Sequence, residues 1–423
     1  MTTTGSPRTT PARRPHRTTA APDSGSPAPP APAGRAPFKG RLAVLAVTLG
    51  IFTIVTTEIL PIGLLTRIGA DFGVSDGTAG LMMTLPGFLA ACAAPTVTVA
   101  TARFDRRLML CGLVALLALA NFTAAAAPVY WLVLLSRVLV GVVIGGFWSI
   151  GVGLAERLVP AASAGRATAV IFSAVPLGSV IGVPAGTFLG DLAGWRTACA
   201  AVGGLAVGVW VLTALALPPL PAVRATSPAL LRATLRGVHT RFALLMTFLV
   251  VLAHFGAYTY VTPFLERTTH LATAATVTLF LLVYGVAGVV GNFAGGAVVA
   301  RRPRTVFGTA AALLALATLL LPVLGREPVG ALALLVVWGV AYGAVPVASQ
   351  TWFAKAAPGA PEAASVLFTA SFQATLSLGA LAGGMVVDRT SPAVVMVLGG
   401  ATAVLVALVA WLHFAKRPAW PVG

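Results

Sequence analysis

Twelve apolar stretches, each near the 20 or so residues a helix needs to cross hydrocarbon, fill the chain between residues 41 and 415. Their centres fall near Ile54, Ala90, Leu117, Val143, Val180, Ala206, Val251, Val286, Leu314, Val340, Leu376 and Val404. Only 9% of the residues are charged against 58% hydrophobic, so 423 residues carry too little polar surface to cover a globule in water. Lipid supplies no hydrogen-bond partner, so each stretch must satisfy its own backbone as a helix. An all-α membrane protein with twelve transmembrane helices is expected.

The loop charges orient it. With both ends on one side, that side holds 22 Lys/Arg against 4 Asp/Glu, and the other holds 5 against 6. Positive loops stay cytoplasmic, so both termini are expected in the cytoplasm of a multi-pass plasma-membrane protein. The chain is also duplicated. Gly141, Gly145 and Pro160 match Gly339, Gly343 and Pro358 at an offset of 198, and Gly182, Gly186 and Asp191 match Gly379, Gly383 and Asp388 at 197. Two pseudo-symmetric six-helix halves follow. The expected organisation is a disordered basic tail (1–40), an N-terminal half (41–217), a cytoplasmic linker with a short amphipathic helix (218–240), a C-terminal half (241–415) and a tail (416–423). Paired halves of this kind place substrate sites at their interface near the bilayer midplane, which suits transport by alternating access.

Other classes are disfavoured. The net charge of +17 is scattered over loops and tail without a clustered basic domain, so no nucleic-acid partner is expected. There is no Walker-type phosphate loop, no HExxH and no GxSxG, so neither an ATP-driven pump nor an enzyme is indicated. Cys92, Cys111 and Cys199 lack metal-ligand or CxxC spacing and read as small buried hydrophobes. No metal and no cofactor are expected. The first span is too long for a signal-peptide core and reads as an anchor.

Of 28 Lys/Arg and 11 Asp/Glu, only Glu58 and Arg137 fall well inside apolar stretches. A charge there costs at least about 2.5 kcal/mol and normally faces a partner or a wet cavity. Counting from the span ends puts both at one depth, roughly 12 Å below the outer surface at 1.5 Å per residue. If the first and fourth helices are neighbours, the two could pair; alternatively they form a structural clip or bond the backbone near helix kinks. In the seventh span, His254, Tyr258 and Thr262 share a face, and a histidine there suits proton transfer near neutral pH or a buried bond to a carbonyl. Trp338, Tyr342, Pro346 and Gln350 make an aromatic stripe in the tenth span, fit for packing or for a cavity wall. Asn292 and Gln373 add polar groups to apolar runs. In the fifth span Gly178, Gly182, Pro184 and Gly186 make a smooth face, expected to pack the halves tightly, and a bend.

Several segments together resemble the major facilitator superfamily, in its twelve-helix drug/proton antiporter branch of arabinose-efflux-like, purine-efflux-like and chloramphenicol-exporter permeases. They are Thr57-Glu58 with Gly63-Leu64-Leu65, Ser136-Arg137-Val138-Leu139-Val140-Gly141, Gly182-Val183-Pro184-Ala185-Gly186 running to Gly194-Trp195-Arg196, Tyr258 to Phe264, Tyr284-Gly285 with Gly291-Asn292, and Gln350-Thr351-Trp352. The resemblance implies export of a small organic molecule in exchange for protons. It implies proton coupling at Arg137, a proton or cation site at Glu58, and an antiporter signature in Gly178, Gly182, Pro184 and Gly186. The loop between the second and third spans, usually Asp-Arg-x-Gly-Arg-Arg, here reads Ala102-Arg103-Phe104-Asp105-Arg106-Arg107. Arg103, Arg106 and Arg107 keep the basic positions of this gating loop; its acid is missing, with Asp105 as the substitute.

The leading expectation is a monomeric proton-coupled exporter with a small-molecule substrate, protons and lipid as its partners. Import of a sugar or nucleobase by facilitation or symport is the alternative within transport, and a non-transporting membrane sensor is the alternative outside it.

Overall fold

A computed structural model describes residues 1–3, 5, 38–100, 104–151, 154–221, 228–271, 273–299, 301–356 and 361–415. Most of the two expected tails, residue Arg103 of the gating loop and part of the linker lie outside these residues. Among the described residues, twelve helices are long and apolar enough to span a membrane: α1 (Phe38–Phe72), α2 (Asp76–Ala94), α3 (Arg106–Ala125), α4 (Tyr130–Trp148), α5 (Ser173–Ala193), α6 (Trp195–Ala216), α7 (Val238–Arg267), α8 (Ala274–Val299), α9 (Thr305–Leu324), α10 (Pro328–Phe353), α11 (Val366–Arg389) and α12 (Pro392–Leu412). Each expected centre falls inside its helix. In the linker, Pro228–Arg236 is a short helix, as its pattern suggests.

The duplication is visible in how helices pair. In the first half α2 packs on α4, α3 on α6 and α5 on α1; in the second, α8 packs on α10, α9 on α12 and α11 on α7. The repeated glycines explain why. A Cβ on Gly141 or Gly145 would run into the α2 backbone at Pro86 or Ala90, and one on Gly339 or Gly343 into α8 at Tyr284 or Gly288. Gly182 and Gly186 lie against Thr56 and Leu60 of α1 as Gly379 and Gly383 lie against Gly256 of α7. Without side chains at these crossings the helices approach closely enough for dispersion contacts to hold the bundle, the main force available in lipid.

One expectation is corrected here. The glycine face of α5 seats α5 on α1 within the same half: Gly178, Gly182 and Gly186 meet Val55, Thr56 and Leu60. Four-residue spacing aligns them on one side of the helix, so they cannot also serve the junction between halves. There, α5 offers Val180 to Gly285 of α8. A π turn at Gly178–Gly182 precedes Pro184, whose missing N–H interrupts the α-helical ladder. A second correction concerns the cysteines: Cys199 is buried, Cys111 partly so, but Cys92 is exposed. An apolar stretch in a membrane helix keeps one face toward lipid, where a thiol costs little.

The halves meet chiefly at two junctions related by the repeat, α2 with α11 and α5 with α8, and α1 also touches the end of α7. They are tied at the end remote from the termini, called the outer end below. Arg267 Nη1 reaches Asp76 Oδ2 at 2.5 Å. Asp388 accepts from Ser75 Oγ at 2.7 Å and from the Gly77 amide at 2.8 Å. Thr66 donates to Glu266 Oε1 at 3.2 Å. These ties define a conformation closed at the outer end.

Gly343→Val is expected to lose most of its monodisperse protein on detergent extraction, because its Cβ would lie 1.9 Å from a backbone oxygen and overpacking of this kind costs about 1–3 kcal/mol or more. Gly204→Val and Gly208→Val, where a Cβ meets nothing within 4 Å, are expected to keep wild-type yield. Size-exclusion chromatography of the three proteins makes the comparison.

Candidate functional site

Pro61 shapes the site before any charge does. A proline has no N–H, so the carbonyl four residues earlier, that of Thr57, loses its helical donor in the middle of α1. Arg137 of α4 replaces it, donating Nη1–H to Thr57 O at 2.8 Å. Asn121 of α3 adds Nδ2–H to Thr57 Oγ1 at 3.1 Å, and that hydroxyl donates in turn to Thr53 O at 2.8 Å. Arg137 is 2% exposed and its Nε has no partner. The guanidinium thus serves as backbone donor for a kinked helix, a position that neither an apolar residue nor a short polar one fills.

The next residue, Glu58, faces the other way. Neighbouring positions on a helix are turned by about 100°, and Glu58 points at the second half, where its Oε1 accepts from Gln373 Nε2 of α11 at 3.0 Å. Glu58 and Arg137 therefore sit at one depth, as counting predicts, but they do not pair: one neighbour of the same turn goes to each. The alternative of a clip at a helix kink describes Arg137. Glu58 is 8% exposed and held by a neutral amide from the opposite half.

Opposite Glu58 the second half presents an aromatic group. His254 lies parallel to Tyr342 with ring centroids 3.3 Å apart, and nearly parallel to Tyr258 at 5.0 Å; Tyr258 continues the stack onto Tyr284 at 4.5 Å. Trp338 closes one side edge-on and donates its indole N–H to His254 Nδ1 at 3.0 Å. An indole nitrogen only donates, so Nδ1 carries the lone pair and the ring proton is on Nε2. Trp338 is fully buried, whereas Tyr258 and Tyr342 remain partly open, and the Tyr342 hydroxyl has no partner. Gln373 Oε1 is likewise unpartnered and buried. A carboxyl, an amide oxygen and a phenol without partners meet stacked rings here, largely buried in this closed arrangement.

Other expected site residues lie elsewhere. Thr262 is not a cavity hydroxyl: it is 1% exposed and donates to Ile62 O at 2.8 Å, tying α7 to α1 toward the outer end. Gln350 is exposed on α10, and half-buried Asn292 makes no hydrogen bond to the aromatic group. In the gating loop Asp105 bonds the backbone. Its Oδ1 caps α3 at the Arg107 amide, 2.7 Å away, and accepts from the Leu220 amide at 3.1 Å. Arg107 donates to Ala214 O at 2.6 Å, and the Arg106 amide to Leu220 O at 2.9 Å, so this loop holds the start of the linker. Sequence reasoning overlooked Asn121 and named Thr57 and Tyr284 only within the resemblance segments, without a role at the site. The signal for Thr57 was Pro61, four residues on.

If Arg137 stands in for the amide that Pro61 lacks, restoring that amide makes it dispensable. Arg137→Met is expected to destabilise the detergent-solubilised protein by about 1–3 kcal/mol, the cost of an unmet buried polar group. In a Pro61→Ala background the same change is expected to cost less than half as much. Thermal unfolding of the four proteins of this cycle measures the coupling, and additive effects refute the assignment.

The Major Facilitator Superfamily model matches residues 46–369. The chain is 36% identical over 353 residues, 82% of it and 87% of the relative, to a protein of Pseudomonas aeruginosa named transcription regulatory protein OpdE. It is 32% identical over 369 residues, 87% of it and 92% of the relative, to the purine ribonucleoside efflux pump NepI of Salmonella paratyphi A. Among solved structures, a bacterial homologue of the human lysosomal transporter Spinster, inward-facing and occupied, superposes with a TM-score of 0.72 at 18% identity, covering 90% of this chain and 98% of that one. The human organic anion transporter MFSD10 gives 0.63 at 18% identity, covering 88% and 99%. The chain belongs to the major facilitator superfamily and is a multi-pass membrane transporter with its twelve-helix fold.

Proposed function

We propose that this transporter exports a small, flat organic molecule of nucleoside size in exchange for protons carried by Glu58. The observation that carries the reading is the meeting of one membrane-buried carboxyl with an aromatic wall across the junction of the halves. Such a carboxyl is a natural exchange point, because a proton and a polar substrate edge compete for the same oxygens. In this reading Tyr342, at the end of the stack, lies against the substrate with Tyr258 behind it, and Gln373 bonds the substrate's edge. His254, with Nδ1 given to Trp338, orders the stack instead of ferrying protons. Arg137 keeps the kinked helix in place so that Glu58 faces the substrate. A relative named as a purine ribonucleoside efflux pump supports both the direction and the class of molecule.

The lopsided Lys/Arg distribution supports insertion in the plasma membrane with both termini cytoplasmic, so that the outer end closed in the structure is extracellular. The working form is taken as a monomer of two halves, 41–217 and 241–415, joined by the linker 218–240. One relative bears the name of a transcription regulatory protein, which keeps a sensing role as the second reading. A sensor binds its ligand without turnover.

Reconstituted vesicles with an imposed pH gradient and labelled nucleosides separate these readings. Wild type is expected to move label against its gradient and to lose the drive when a protonophore is added. Glu58→Gln is expected to fold normally and lose at least tenfold of the proton-driven rate; a full rate removes Glu58 from the mechanism. Tyr342→Ala is expected to raise KM by roughly three- to tenfold, the worth of one aromatic contact. Saturable binding without transport in wild type favours the sensor.

A further inference from the structure

The hydrogen bond between Glu58 and Gln373 joins the two halves at the centre of the protein, and it is half made. Gln373 gives its N–H to Glu58 at 3.0 Å while its own oxygen, buried, accepts nothing. A carboxylate can only accept, so it cannot fill that oxygen; a protonated carboxyl is both donor and acceptor, and so is a primary amide. We propose that Gln373 reads the protonation state of Glu58: when a proton arrives on Glu58, acid and amide exchange two hydrogen bonds across the junction and hold the halves in the outer-closed arrangement. This rests on Glu58 as the proton site. No bond between heavy atoms changes. The proton comes from water, resides on one Glu58 oxygen and is shared with Gln373 Oε1.

The surroundings leave this task to the amide. From α4, Arg137 is directed to the Thr57 carbonyl. From α10, Tyr342 faces the site with a free hydroxyl, and from α7, His254 and Tyr258 stack behind it. The remaining charged groups on helices packed against α1 lie toward its two ends. Asp76, Asp191, Arg196, Glu266 and Arg267 are paired at the outer end, and Arg106, Arg107 and Arg157 lie near the end that carries the termini. An ionised Glu58 in the closed arrangement thus has one hydrogen bond and no cation, and the neutral acid is the form that completes the pair. For an exporter this is the useful sign. The incoming proton favours the arrangement closed on the side it came from, and its release frees Glu58 and Gln373 for substrate.

The test reads the distance between the halves at the open end. Spin labels at positions 108 and 301, both exposed and both at the terminal end of the bundle, are introduced into the full-length protein after Cys92, Cys111 and Cys199 are replaced by serine or alanine. Double electron–electron resonance is recorded from pH 5 to pH 9 without substrate. In the parent protein the ratio of the long-distance to the short-distance population is expected to rise at least about fivefold on acidification, the worth of one net hydrogen bond. Gln373→Met, which keeps the shape but not the amide, is expected to lose that response; Gln373→Leu serves if the methionine variant folds poorly. Glu58→Gln makes an amide pair that also exchanges two bonds, so it is expected to show the long distance at every pH, and adding Gln373→Met is expected to release it. A Gln373→Met protein that titrates like its parent, beside a pH-blind Glu58→Gln, overturns the role of Gln373 and leaves Glu58 as the proton site. A Glu58→Gln protein that still titrates overturns the proton site itself.

Discussion

A carbonyl that loses its helical donor in hydrocarbon has no water to turn to, and the carbonyl of Thr57 loses its donor to Pro61. Much of the site follows from that vacancy. Its filling by Arg137 locks α1 to α4, and Asn121 locks the same residue to α3. On another face of α1, the glycines of α5 bring that helix against Val55, Thr56 and Leu60. Held on both flanks, the segment around residue 58 has one direction left for a side chain, toward the second half. Glu58 is aimed by the packing of its neighbours and needs no charged partner to hold it.

The two halves share a frame but divide the chemistry. Repeat-related glycines do the same work in each, so the helices cross alike, yet the carboxyl comes from the first half and the aromatic group from the second. At the 198 offset Arg137 corresponds to Leu335, a fully buried core residue. The repeated aspartates diverge as well. Asp191 bridges to Arg67 inside its own half at 2.7 Å, whereas Asp388 crosses to Ser75 and Gly77 of the other. The halves coincide where helices pack and differ at the candidate site, because close backbone crossings tolerate no side chain while looser positions tolerate many.

What could be read from the sequence follows the same division. Span number, repeat and depth depend on local runs and counting, and all twelve helices and the shared depth of Glu58 and Arg137 were readable. Azimuth was not. Residues 57 and 58 lie at one depth on different faces, and only the seating of α1 decides which face meets which half. The glycine face of α5 was legible as a close-packing surface but not as to its partner, since small residues carry no directional chemistry. Asp105 could have been placed, because an aspartate directly before a helix is a preferred N-cap. The aromatic stripe of α10 was visible, but its meeting with His254 and Tyr284 needed three helices to converge.

The outer ties complete the account of how such a frame can move. Asp76 is buried but Arg267 is 58% exposed, so solvent reaches the cation and pulls the pair toward the small worth of exposed ion pairs, about 0–1 kcal/mol. Asp388 accepts two hydrogen bonds, and Thr66 and Thr262 make one each, with a net worth of about 0.5–3 kcal/mol apiece. Within each half, by contrast, the glycine crossings bring whole helices into contact, and separating them would forfeit dispersion contacts that lipid cannot replace in full. Weak polar ties between halves and dense packing within them are the conditions for rigid-body rocking. Because the individual ties are so slight, one added or lost hydrogen bond at Glu58 is a sizeable share of what decides which end of the protein is closed.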